Sequence, residues 1–358
     1  MEPAAPPAPP LASIPLETAT PAIAPGRVLR GRYELKRLLG EGGMSCVFEA
    51  VDRRREGSSN PDARVAVKVL RPSLAARPDA VQALRLEFER AQSLSHPGIV
   101  NVFDLDADGD VHFITMERLE GELLSSVIKR LRPNTLRRDQ AFAILQRLGE
   151  AVAFAHDAGI VHADIKPGNV VLTSGGDLRL FDFGAAWPAQ REPWIYDGGE
   201  RSLQGATPTY ASAERLGGAA PTVRDDVYSY CCVAYELLAG VHPFDRQPAN
   251  EAQRLKLRAK RPRGLTRGQW RALSRGLAFR REDRWPDMDA LLERLELPAQ
   301  RGALPLVLDA EPPSRPVGLS GVTMLLLGAG AFAIAHFYGG TIAPMLALAS
   351  EGIASLFR

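Results

Sequence analysis

The stretch VHADIKPGNV, residues 161–170, sets a His, an Asp, a Lys and an Asn within eight positions, and aliphatic pairs bracket the whole. Polar side chains held between buried-looking Val161 and Val170 need hydrogen bonds or a task. The residue before Asp164 is an alanine, and its meaning depends on the motifs around it.

The chain has 358 residues, 45% hydrophobic and 24% charged, enough to bury one large or two moderate cores. A formal net charge of +2 does not suggest a nucleic-acid partner. The basic excess gathers in residues 254–276, RLKLRAKRPRGLTRGQWRALSRG, which reads as a solvated helical face, with an acidic partner or an anionic membrane as alternatives. Cys46, Cys231 and Cys232 have the spacing of neither a disulfide framework nor a metal clip, as expected of a domain in a reducing cytoplasm.

Residues 1–30 are dense in Pro and Ala, lack a basic start before an apolar run, and read as a disordered arm rather than a signal peptide. Strand-like and helix-like pieces alternate over 33–297, and residues 298–316 return to a Pro-rich linker. Between Arg315 and Glu351 there is no charged residue. Residues 318–338 within that gap would extend about 31 Å as a helix, matching a hydrocarbon core of roughly 30 Å, so one membrane span is expected. His336 lies near its end, at an interfacial level. The apolar tail 339–358 is interrupted by Pro344 and Glu351, which leaves an interfacial segment or a poor second span open. Arg301 and Arg315 before the span, against Arg358 after it, favour a cytosolic N-terminal side.

Residues 32–52, RYELKRLLGEGGMSCVFEAVD, read as strand, glycine turn, strand. Gly40, Gly42 and Gly43 let backbone N–H groups approach phosphate oxygens, with no Cβ in the way and no penalty for positive φ. A tight hairpin alone would account for the glycines; the weight comes from RVAVKVL, residues 64–70. Lys68 there lies in an apolar strand, where an ammonium needs a partner or an anion. Glu87, in the helical stretch that follows, is the expected partner, with Glu89 as the alternative register.

Six segments occur in order: LGEGGMSCV, VAVKVL, VHADIKPGNV, LFDFGAA, GATPTYASAE and DDVYSYCCVAYELLAGVHPF. Their order and spacing over about residues 33–297 resemble the bacterial Hanks-type serine/threonine protein kinases. The resemblance implies an α+β, two-lobed protein kinase fold. A small β-rich lobe with one long helix would cover 33–119 and a larger helical lobe 120–297, followed by the linker and the C-terminal transmembrane helix. It also implies roles. Asp164 would accept the proton of a substrate hydroxyl, Lys166 would steady the transferred phosphoryl group, and Asn169 with Asp182 would hold Mg2+, a hard cation suited to such oxygens. Lys68 would bind the α and β phosphates of ATP under the loop formed by Leu39, Gly40, Glu41, Gly42, Gly43 and the residues on to Val47. Val47 and Ala66 would sandwich adenine, the backbone of Glu117 and Leu119 would pair with its edge, and Met116 would be the gatekeeper. Glu214 would pair with Arg284, Asp226 would cap the backbone of the catalytic loop, and Thr207 would favour serine or threonine in the protein substrate.

Three positions depart from the family pattern: Ser45 replaces the third glycine, Ala213 the proline before Glu214, and Ala163 the arginine before Asp164. None removes a catalytic atom. That arginine ordinarily binds a phosphorylated residue of the activation segment, so Ala163 implies control, if any, by another route. Tyr196, Ser202 and Thr209 remain as acceptors, and Arg191 and Arg201 as substitute cations. The expected function is transfer of phosphate from ATP to Ser or Thr of proteins, from a domain tethered to the inner face of a bacterial membrane by a single span. The alternatives are a pseudokinase scaffold that binds nucleotide at the membrane, and a small-molecule kinase, which the platform-like GATPTY disfavours.

Overall fold

The computed structural model describes residues 23–55, 63–132, 134–188 and 207–298. The chain divides into two compact units, 1–310 and 311–358, and every described residue belongs to the first. The expected span and tail therefore lie outside the described residues, as do Tyr196, Ser202, Arg191, Arg201 and residues 1–22 of the expected arm. The end of that arm is not disordered: Val28–Leu29 pairs with Glu34 and Tyr33 as a strand, and Leu29 is fully buried. Among the described residues no helix is long and apolar enough to cross a membrane.

The first half builds an antiparallel sheet from β1 (Val28–Leu29), β2 (Tyr33–Glu41), β3 (Ser45–Asp52), β4 (Arg64–Leu70), β5 (Val102–Asp108) and β6 (Val111–Glu117), in the order β1-β2-β3-β4-β6-β5. β4 is interior, between β3 and β6, so both of its edges are paired, and apolar packing covers each of its faces. The two-residue period of a strand then sorts its side chains. Val65, Val67 and Val69 join Tyr33, Leu35, Phe48 and Phe113 in one apolar cluster. Leu70 on the other face packs with Ile114 and with Ala80 and Leu84 of α2 (Pro78–Gln92), which follows the short α1 (Pro72–Ala75). Lys68 shares the face of Leu70 and so points toward α2.

The second half is helical: β7 (Gly121–Leu123), α3 (Leu124–Leu131), α4 (Arg138–Asp157), then β8 (Ile160–Val161), β9 (Val170–Thr173), β10 (Leu178–Leu180) and β11 (Trp187–Pro188), then α5 (Ala213–Leu216), α6 (Val223–Ala239), α7 (Ala249–Arg254), α8 (Arg267–Gly276) and α9 (Met288–Leu295). Thirteen of the 17 residues of α6 are buried, which makes it the central helix of this half rather than a surface helix. Its N-terminus is closed by a capping box between Thr222 and Asp225, and its C-terminus by Gly240 at φ 74°. After Arg254, the last residue of α7, the basic run 254–276 is helical again only from Arg267; Pro262 and Gly264 (φ 85°) interrupt it, so the expectation of one helical face holds for α8 alone. Arg267, Arg271 and Arg275 lie along that helix at four-residue intervals, all exposed.

Candidate active site

The loop between β8 and β9 carries His162, Ala163, Asp164 and Lys166, closed by a 3-10 turn at Pro167–Asn169. Asp226, in the first turn of α6, clamps it. Its Oδ2 accepts the His162 N–H and its Oδ1 the Ala163 N–H, both at 2.8 Å, and His156 Nε2 lies 2.9 Å from Oδ2. Ala163 adopts φ 64°, a left-handed conformation that costs an L-residue roughly 1 kcal/mol or more and that the two clamped N–H groups sustain. His162 is fully buried, its ring 4.7 Å from that of Phe183.

Asp164 receives several donors. Lys166 Nζ donates to Oδ2 at 2.6 Å and to Thr207 Oγ1 at 2.7 Å. The Thr207 N–H donates to Asp164 Oδ1 at 2.8 Å. Asn169 Nδ2 donates to the Asp164 carbonyl at 2.9 Å and to Oδ2 at 3.1 Å, which orients the amide.

Lys68 Nζ donates to Glu87 Oε1 at 2.5 Å and to Asp182 Oδ1 at 2.9 Å. The partner is thus Glu87, as expected, and Asp182 is a second one that sequence reasoning did not supply. Burial by itself would push the Lys68 ammonium down, but the Glu87 and Asp182 carboxylates beside it hold it above its ordinary value. The same contact holds Asp182 below the usual carboxylate range despite its burial. Asp182 sits at φ 68°, and a Cβ added to Gly184 would meet Glu87 Oε2 at 3.3 Å and Asp182 Oδ1 at 3.4 Å. Glycine at 184 therefore lets the segment after Asp182 press against α2. From the same helix Arg90 donates to the Ala186 carbonyl, a contact legible in retrospect from its i+3 spacing to Glu87.

A cavity of about 800 Å³ is lined by Gly42, Gly43, Lys68, Glu87, Asp164 and Asp182, among others. Leu39, Gly40, Glu41, Val47, Ala66, Glu117 and Leu119 are not part of its lining. Gly40, Gly42 and Gly43 do not use positive φ here, and a Cβ would meet nothing within 4 Å at Gly40 and Gly43 and only Ser45 O, at 3.5 Å, at Gly42. Their contribution is open space, which corrects the conformational argument for them. Across the sheet, Val47 stands opposite Lys68, and Ala66 opposite Met116. The Glu117 N–H already donates to the Asn101 carbonyl at 2.9 Å, so a donor to a nucleotide edge must come from Leu119.

The donor set fits Mg2+. Asn169 donates through Nδ2 and keeps Oδ1 as an oxygen ligand, and Asp182 keeps Oδ2. Among the described residues no cluster of three or more His, Cys, Asp or Glu is placed to hold a metal ion.

Behind the site, Arg284 is completely buried. It donates to Glu214 Oε2 at 2.6 Å, to Asp225 Oδ1 at 3.2 Å and to the carbonyls of Ala278, Phe279 and Arg224. Arg281, not singled out in the sequence, joins the same group: its N–H donates to Glu214 Oε1 at 2.6 Å and its Nη2 to Asp225 Oδ2 at 2.7 Å. The network specifies where the segment ending at Glu214 sits on α6.

Residues 33–278 match the family model of the protein kinase domain. The serine/threonine-protein kinase PknA of Mycobacterium tuberculosis is 37% identical over 224 residues, which are 61% of this chain and 49% of that protein. PrkC of Bacillus subtilis, also a serine/threonine-protein kinase, is 34% identical over 237 residues, 66% of this chain and 35% of that one. The chain thus spans about half or less of the length of these curated relatives. The crystal structure of the Mycobacterium tuberculosis PknI kinase domain superposes with a TM-score of 0.56 at 29% identity, covering 76% of this chain and all of that one. With the family model extending from β2 through α8, and with relatives that share the domain, the chain belongs to the protein kinase family, its domain being of the bacterial Hanks-type serine/threonine kind.

Proposed function

We propose that the protein transfers the γ-phosphoryl group of ATP to serine or threonine of protein substrates. The observation that carries this reading is the convergence, on one cavity, of Lys68 paired to Glu87 and Asp182 with Asp164 paired to Lys166, the latter two tied in turn to Thr207 beside it. Asn169 and Asp182 would hold Mg2+, which would supply positive charge against the phosphates. The rest falls to the chain's own groups. Lys68 binds the α and β phosphates, and Glu87 keeps it aimed. Asp164 Oδ2 takes the proton of the attacking hydroxyl, and Lys166 Nζ, 2.6 Å away, offers positive charge to the phosphoryl group in transit. Thr207 ties the substrate side of the cleft to both. The groups that transfer needs are assembled, so the pseudokinase scaffold is the disfavoured reading.

The membrane tether belongs to the same proposal. Its support is the uncharged stretch 318–338 after a Pro-rich linker, and the inner face of a bacterial membrane is its proposed place. Transfer is tested with labelled ATP and the full chain in detergent, acting on itself and on a generic protein, with Asp164→Asn as control; label that does not depend on Asp164 overturns the reading. The tether is tested by extraction of membranes. Release by detergent but not by salt is expected, and release by salt alone refutes the span.

A further inference from the structure

Glu236, near the C-terminal end of α6, is 1% exposed, and three donors converge on it. Tyr210 Oη donates to Oε2 at 2.6 Å, while Arg132 Nη2 and Arg246 Nη2 donate to Oε1 at 2.9 and 2.5 Å. A buried carboxylate needs such partners, and one guanidinium with the phenol already satisfies it. The second guanidinium leaves the group with an excess of positive charge. Both arginines also reach solvent, with side chains 42% and 51% exposed, and a guanidinium has five N–H donors of which one on each is directed to Glu236.

The backbone that delivers Arg246 is strained. Asp245 and Arg246 are consecutive non-glycine residues at φ 50° and 61°. The buried His242 holds this turn, its Nδ1 accepting the N–H groups of Phe244 at 3.2 Å and Arg246 at 3.1 Å. Strain sustained by neighbours marks a position whose side chain is put to use, and Arg132 alone would already serve Glu236. The adjacent Asp245 is exposed and makes no ion pair among the described residues, so it does not cancel the charge by contact.

Tyr210 sets the distance to the reaction. Its N–H and that of Ala211 bond to the Thr207 carbonyl at 3.0 and 3.2 Å, and the Thr207 N–H bonds to Asp164. Three residues of chain reach at most about 10 Å, so the Tyr210 backbone lies within that distance of Thr207, and its phenol and the two arginines lie one to two side-chain lengths further on. A protein strand that presents its hydroxyl to Asp164 carries residues two or three positions away over about 7–10 Å, and a long anionic side chain there extends the reach toward the exposed guanidinium groups. We infer that Arg132 and Arg246 form a subsite for an anionic side chain, a carboxylate or a phosphate, two or three residues from the acceptor Ser or Thr of the protein substrate. This rests on the protein kinase reading given above.

The test uses the full chain in detergent and peptides with one Ser acceptor in a neutral sequence. Glu, phosphoserine or Lys is placed in turn at each of the three positions on either side. At one position kcat/KM is expected to be about tenfold or more higher with an anion than with Lys, mainly through KM, and the advantage should shrink between about 50 and about 500 mM salt. Glu and phosphoserine arms show which anion the subsite takes. Arg132→Gln and Arg246→Gln each leave one guanidinium on Glu236, so melting temperatures should stay close to the parent, and each should lower the Glu-to-Lys ratio about threefold or more. That ratio is internal to one enzyme, so a general loss of turnover does not move it. Equal rates with Glu, phosphoserine and Lys at all six positions, or a ratio unchanged in both variants, overturns the subsite. If neither the peptides nor the protein itself takes label, the kinase reading falls and the subsite with it; self-labelling without peptide discrimination overturns the subsite alone.

Discussion

The backbone N–H of Thr207 donates to Asp164 Oδ1 at 2.8 Å, which joins the substrate side of the cleft directly to the proposed proton acceptor. Lys166 Nζ closes the triangle through Asp164 Oδ2 and Thr207 Oγ1. The hydroxyl and the N–H of one threonine thus do separate jobs, and substitution can separate them. Thr207→Val keeps the N–H and loses the acceptor for Lys166, a hydrogen bond to a charged group worth about 1.5–3 kcal/mol. Turnover should fall about tenfold to a hundredfold, while Thr207→Ser should stay within about threefold of the parent. Steady-state rates on one peptide decide it, and a fully active Val variant would refute the role given to Oγ1.

Lys68→Met retains an apolar stem between the two β4 neighbours and removes the cation that Glu87 and Asp182 share. Cooperative thermal unfolding is expected to persist, with turnover reduced about a hundredfold or more. A folded variant with parental turnover would show that the phosphates are held elsewhere.

Ala163 leaves the catalytic loop without a guanidinium at that position, and its backbone is set instead by Asp226. Phosphatase-treated protein, untreated protein and a Ser202→Ala, Thr209→Ala variant should therefore agree within about threefold in initial rate, under about 1 kcal/mol of barrier. A hundredfold loss on dephosphorylation would mean that another arginine receives the phosphate.

His242 gives the domain a pH dependence with a definite sign. Burial pushes its imidazole down to about 4, with Glu236 opposing the shift only in part. Between pH about 4 and its ordinary value near 6.5, the unfolded chain binds a proton at this site and the folded chain does not, so stability is lost as pH falls through that window. The contribution is on the order of 3 kcal/mol, present in full above about pH 6.5. Denaturant midpoints of the parent and of His242→Gln across pH 4–7 measure it: the parent's slope should be the steeper, and identical slopes would remove His242 as the cause.

Much of the architecture could be read from local chemistry. The two-residue period of RVAVKVL and its single lysine placed Lys68 on the cleft face of an interior strand, because strand geometry alternates side chains whatever surrounds them. The ordered motifs named Asp164, Lys166, Asn169 and Asp182 as one group, and Glu87 as the partner of Lys68 followed from the cost of an unpaired buried ammonium. What could not be read there depends on which distant segments touch. Asp182 as a second partner of Lys68 comes from 114 positions away, and Arg132 and Glu236 meet across 104. The left-handed backbone at Ala163, Asp245 and Arg246 is equally invisible in composition, since none of them is glycine; Ala163 is held by Asp226 from 63 positions away, and the turn at 245–246 by the nearby His242, whose burial the fold provides. A residue's identity determines what it must find, a partner, an anion or a covered face; only the packed chain decides which residue answers, because charge pairing acts over a few ångströms of space and is indifferent to distance along the sequence.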